Sequence, residues 1–124
     1  MRLIVVLLLF LTSGYASAHQ FTPTYPKLEM SHMPGVMKAD MVLFNNRDDI
    51  RYYELNVFNN DWKPVKFATE SKIVPINYKE RKYLTIYLSG KGVQNAKYIC
   101  SKSKILLSVK TPSIVSSRIC SKLK

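Results

Sequence analysis

The sequence predicts an all-β fold, an antiparallel sandwich or barrel, on three observations. Short runs alternating apolar with polar residues recur along the chain, and almost no stretch has helical period. Breaks rich in Asn, Asp, Gly and Pro separate these runs. An even pair of cysteines follows an N-terminal export signal, so a covalent staple is available to a small core.

The export signal occupies residues 1–18. Arg2 supplies a positive start, Leu3 to Leu11 an almost unbroken apolar run, and Ala16-Ser17-Ala18 a small-residue cleavage box. The run falls short of the roughly 20 apolar residues that span a bilayer, so no transmembrane anchor is expected after cleavage. Residues 19–124 are then the working chain, the size of one domain. Its compartment is periplasmic or fully secreted, where Cys100 and Cys120 are expected to form a disulfide.

The strands follow in order. Met37, Ala39, Met41 and Leu43 fall on one face, with Lys38 and Asp40 on the other. The turn Asn45-Asn46-Arg47-Asp48-Asp49 leads to Tyr53, Leu55 and Val57, which oppose Tyr52, Glu54 and Asn56. Asn59-Asn60-Asp61 precedes Trp62-Lys63-Pro64. Trp62 is expected to fill the core, the alternative being an exposed rim shared with Tyr52 and Phe58. Leu84, Ile86 and Leu88 oppose Tyr83, Thr85 and Tyr87, and Gly90-Lys91-Gly92 reads as a turn.

The last two strands, Tyr98-Ile99-Cys100 and Arg118-Ile119-Cys120, allow a register. A direct pairing of the cysteines centres the connecting hairpin on Lys110 and sets Ile105 opposite Val115 and Leu107 opposite Ser113. It brings the cysteine Cα atoms to about 4.5 Å, at the lower edge of disulfide geometry.

Several segments together resemble the N-terminal immunoglobulin-like domain of periplasmic pilus (fimbrial) chaperones. Phe21-Thr22-Pro23 leading to Leu28 is similar to the family's first strand. Met41-Val42-Leu43-Phe44-Asn45-Asn46 and Tyr53-Glu54-Leu55-Asn56-Val57 resemble its second and third, read as a hairpin with an Asn-rich turn. Ile73-Val74-Pro75-Ile76 before Lys82-Tyr83-Leu84-Thr85-Ile86 resembles the Pro-containing stretch and the strand after it. The resemblance implies an immunoglobulin-like sandwich of about seven strands. Family chaperones carry two such domains, and the length here suits one. It makes Lys27 the candidate for the basic clamp on a partner's C-terminal carboxylate, and likens Tyr98 to the tyrosine corner of such folds.

Composition narrows the function. From Lys91 to Lys124 there are eight basic residues and no acid, among them Lys97, Lys110, Arg118, Lys122 and Lys124. Such asymmetry suits an anionic envelope component, or simply a solvated face. No nucleic-acid motif accompanies it, and export argues against that role. Catalysis has little to stand on: beyond the signal peptide there are two histidines, His19 and His32, scattered acids, no phosphate loop and no nucleophile elbow. No cofactor is expected, with copper as the alternative. His19 at the cleaved N-terminus could chelate Cu(II), and Met30, His32 and Met33, within a Met-rich segment 30–41, could hold Cu(I). The bland reading of that segment is that Met37 and Met41 enter the core while Met30 and Met33 flank an exposed turn. The expected function is therefore non-catalytic: a binding or assembly module that takes a protein partner along an exposed edge strand. A secreted cationic protein that binds envelope polyanions or inhibits another protein is the further alternative.

Overall fold

Period-two burial builds two antiparallel sheets. A computed structural model describes residues 19–104 and 116–124; residues 1–18, read from the sequence as an export signal, and the turn expected around Lys110, with its Ile105–Val115 and Leu107–Ser113 pairs, lie outside them. The described elements are β1 (His19–Thr22), β2 (Glu29–Met30), β3 (Val36–Asn45), β4 (Tyr52–Phe58), β5 (Ile73–Pro75), β6 (Arg81–Ser89), α1 (Lys91–Asn95), β7 (Tyr98–Lys104) and β8 (Arg118–Lys122).

In the first sheet β6 lies along one edge of β3, while β1 and β2 divide the other edge between them. The second sheet runs β5-β4-β7-β8. Dividing one edge between two short strands is what raises the count from about seven to eight. β1 ends at a cis Thr22–Pro23 bond. The segment after it leaves β3 and runs beside the end of β8: Lys122 N donates to Thr24 O (3.0 Å) and Lys124 N to Pro26 O (3.1 Å).

The core lies between the sheets and comes from the expected faces. Ala39, Met41 and Leu43 of β3, Tyr53, Leu55 and Val57 of β4, Ile86 and Leu88 of β6, and Ile99 of β7 are essentially fully buried. Each larger side chain among them contributes roughly 1.5–3 kcal/mol by leaving water. Met41 is buried, Met37 half-buried, and Met30 and Met33 exposed, so the methionines divide between core and turn.

Three readings are corrected. Asn45–Asp49 is not a hairpin, because β3 and β4 belong to different sheets. Both edges of β3 are already paired, so the chain must cross. Asn45 shapes the crossing: its Nδ2 donates to Ile50 O (2.8 Å) and its Oδ1 accepts from Arg47 N (3.0 Å) and the Tyr53 hydroxyl (2.8 Å). Trp62 does not fill the core. It sits at φ +60° in the Asn59–Lys63 turn, is 47% exposed, and lies on the outer face of the second sheet. Tyr98 is no tyrosine corner, since its ring stacks flat on Trp62 with centroids 4.1 Å apart.

The cysteine register agrees with expectation. Cys100 faces Cys120 directly, flanked by Tyr98–Lys122 and Lys102–Arg118, and the disulfide is formed with Cα atoms 4.0 Å apart.

Candidate functional site

β8 forms one edge of the second sheet, and the alternation of its main chain decides what that edge offers. Odd positions bond inward to β7: Ser103 N donates to Ser117 O (2.8 Å) and Leu123 N to Lys97 O (2.8 Å). Even positions face away, as the Lys122 and Lys124 bonds to Thr24 and Pro26 show. The N–H and C=O groups of Arg118 and Cys120 therefore point outward, and among the described residues they pair with no other strand.

The other edges differ in protection, and among the described residues nothing pairs with the outer edge of β6 at Arg81 and Tyr83. β5 is three residues long and ends in Pro75, which has no N–H to offer. β6 is covered over its second half. Ala68 exchanges both main-chain bonds with Tyr87 (3.0 and 2.8 Å), and the Thr69 hydroxyl donates to Thr85 O (2.8 Å). The Arg118–Cys120 stretch is the edge held in place by a covalent bond to its neighbour strand.

Side chains around β8 split by face. Outward lie Arg118, Cys120 and Lys122, beside Tyr98, Cys100 and Lys102 of β7. The Arg118 guanidinium sits 5.7 Å from the Phe58 ring and 5.6 Å from the Trp62 ring, in cation–π contact with both. The register puts Phe58 beside Tyr98 and Asn56 beside Cys100, so Arg118 reaches across the disulfide rung to get there. That explains why Cys100, on a solvent-side face, is buried. Further along, Lys104 Nζ donates to Glu54 Oε2 (2.8 Å), and this bond, with a second from Asn56, holds the Glu54 carboxyl below its usual range.

Inward lies a polar strip. Ser101, Ser103 and Ser121 are buried, and His19 of β1 spans it, with Nε2 3.0 Å from Ser101 Oγ and Nδ1 3.1 Å from Ser117 Oγ. Its ring tilts against Tyr53 with centroids 4.6 Å apart. Burial lowers the His19 pKa to about 4; the Ser101 hydrogen bond opposes the shift and Arg47 adds slightly to it. Burial likewise pushes the Tyr53 hydroxyl up to about 12. A Ser–His contact has the spacing of an activated nucleophile. Here Ser101 and His19 are sealed in the core, with the imidazole held neutral, so the contact serves packing. Ser121 Oγ is buried without a hydrogen-bond partner among the described residues.

The remaining candidates distribute as follows. His19 pairs with Asn45 and Met30 with Met37, at opposite ends of β3, so His19 is far from the exposed Met30, His32 and Met33. The described residues hold no group of three or more His, Cys, Asp or Glu placed around one point. Lys27 lies past β1, in the segment running beside the end of β8. Main-chain bonds bring Lys97, Lys122 and Lys124 to that same end, all exposed. Lys110 lies outside the described residues. The aromatic–arginine cluster was only half visible in the sequence. The outward parity of Phe58 hinted at it, but nothing announced that Trp62 folds back onto Tyr98.

No protein-family model matches the chain, and no curated protein sequence does. Among solved structures, the E. coli chaperone DraB is similar, with a TM-score of 0.60 at 18% sequence identity. The match covers 85% of this chain and 53% of that one, so this chain spans about half the length of DraB. At that identity the likeness shows a shared fold.

Proposed function

We propose that this chain is an exported, non-catalytic, chaperone-like binding or assembly module that takes an extended strand of a protein partner along the open edge of β8. The observation that carries the reading is the outward main chain of Arg118 and Cys120, on a strand tied to its neighbour by a disulfide. Strand addition draws its affinity from main-chain bonds, so it needs no sequence motif. The fold shared with the E. coli chaperone DraB supports the class. Export directed by residues 1–18 would put the partner at the envelope or outside the cell.

Arg118→Pro tests it, because it deletes an outward N–H while leaving every bond between β8 and β7 in place. Arg118→Ala is the control, keeping the N–H and losing the side chain. A partner captured from an envelope extract by the wild type and by Arg118→Ala should be lost with Arg118→Pro at an unchanged melting temperature. Hydrogen exchange at the Arg118 and Cys120 amides should slow when the partner binds. Equal capture by all three, with no slowing at these amides, sinks the proposal.

One observation favours a second reading, binding of an anionic envelope component: Lys27, Lys97, Lys122 and Lys124 gather at the end of β8. Such binding should weaken steeply with salt and vanish when Lys122 and Lys124 are both changed to Glu. Strand pairing should survive moderate salt.

A further inference from the structure

On the β6 side of the sandwich a cavity of about 600 Å³ opens between α1, the end of β6 and the segment around Val65–Ala68. That volume falls within the roughly 300–1,000 Å³ of small-molecule sites. Its lining is mixed in an orderly way. Val36, Val65 and Phe67 supply apolar surface, Met33 stands exposed at the mouth, and no acidic side chain takes part. Two lysines, Lys66 and Lys91, also line it. Both are exposed, and among the described residues neither ammonium makes an ion pair or hydrogen bond.

Gly92 forms part of the floor, packed against Val65, Lys66 and Leu88. A Cβ there would stand 3.4 Å from Lys66 O, 3.7 Å from Val65 Cγ1 and 3.8 Å from Leu88 Cδ2, so any side chain longer than alanine would grow into the space. Part of the main chain in the walls is already paired. Val65 N is bonded to Val57 O (2.8 Å), both Ala68 groups are bonded to Tyr87, and Ala96 N closes on Gly92 O (3.0 Å). What the cavity offers is hydrocarbon contact, two positive charges and uncharged polar groups from Asn59, Tyr87, Ser89 and Asn95.

We infer that this cavity binds an anionic amphiphile, a fatty-acid-like monocarboxylate whose chain lies against Val36, Val65 and Phe67 and whose carboxylate meets Lys66 and Lys91. No residue of β8 lines the site, and it does not depend on the strand-addition reading.

The test is calorimetric titration of the purified protein with dodecanoate below its micelle concentration, beside dodecanol as the uncharged chain and acetate as the charge alone. Saturable binding is expected for dodecanoate, with dodecanol and acetate each weaker by about tenfold or more. The double variant Lys66→Ala/Lys91→Ala should bring dodecanoate down to the affinity of dodecanol. Gly92→Leu, which improves helix propensity in α1, should abolish both by filling the space. Arg118→Pro should leave binding unchanged. Absence of saturable binding to the wild type overturns the inference. So does dodecanoate binding that is indifferent to both the lysine and the Gly92 changes, or dodecanol binding as tight as dodecanoate. Matching melting temperatures for the variants confirm that any loss comes from the site.

Discussion

Acidification should destabilise this protein through one side chain, His19. Its pKa falls from 6.5 to about 4 on folding, chiefly because burial disfavours the imidazolium. The unfolded chain therefore binds the extra proton first, and stability must drop as pH falls between these two values. At about 1.4 kcal/mol per pH unit, the full window costs about 3 kcal/mol, a large share of the stability of a small domain. Urea unfolding at several pH values across the window measures it. The neighbouring groups are Tyr53, which stays neutral throughout, and Arg47, which stays charged. Glu54 and Glu80, whose pKa values are lowered on folding, also lose stabilisation in acid, but they titrate lower. His19→Gln separates the contributions. It should reduce stability at neutral pH by about 1–2 kcal/mol through imperfect bonding to Ser101 and Ser117, and flatten the dependence above the carboxylate range. A wild-type slope that persists unchanged in His19→Gln would refute the reasoning.

Four further outcomes are expected. Reducing the Cys100–Cys120 bond, which closes a loop with a sequence separation of 20, should cost about 3 kcal/mol and lower the melting temperature by on the order of 10–20 °C without abolishing the fold. Arg118→Ala should speed that reduction, followed by thiol labelling, because it uncovers the Cys100 rung. Tyr53→Phe should cost about 1–3 kcal/mol in chemical denaturation by removing the hydroxyl that donates to Asn45 Oδ1. Leu55→Ala, at the centre of the core, should cost about 2–5 kcal/mol, against nearly nothing for Tyr83→Ala, whose side chain is 77% exposed.

The parts of the fold governed by period-two patterning were legible from the residues. Strands β3, β4 and β6 bury the expected faces, and the cysteine pair was enough to set the register of β7 on β8. What failed was information that strand patterning does not carry. Consecutive strands in one sheet and in two sheets alternate identically, so the β3–β4 crossing read as a hairpin until the occupied edges of β3 were seen. Trp62 sits in a turn, where no periodicity tells a side chain which way to fall. His19 looked like a free terminus because its partners, Ser101 and Ser117, are more than eighty residues away in the chain. The open edge at Arg118–Cys120 follows from main-chain parity, which becomes visible only once Lys122 is seen to bond outward. The cavity was hidden in the same way: Gly90-Lys91-Gly92 carried the signature of a turn, whereas Lys91 to Asn95 wind into a helical turn whose Gly92 forms part of the floor.

The placement of His19 has a consequence for processing. Cleavage after Ala18, as the sequence predicts, makes a core residue the first residue of the released chain. A cut one peptide bond later, after His19, would remove the imidazole that bridges Ser101 and Ser117, and with it the first rung of β1 on β3. The peptidase would then be setting the stability of its own product: one species that keeps the seam between the sheets closed, and a truncated one that leaves two serines facing a hole.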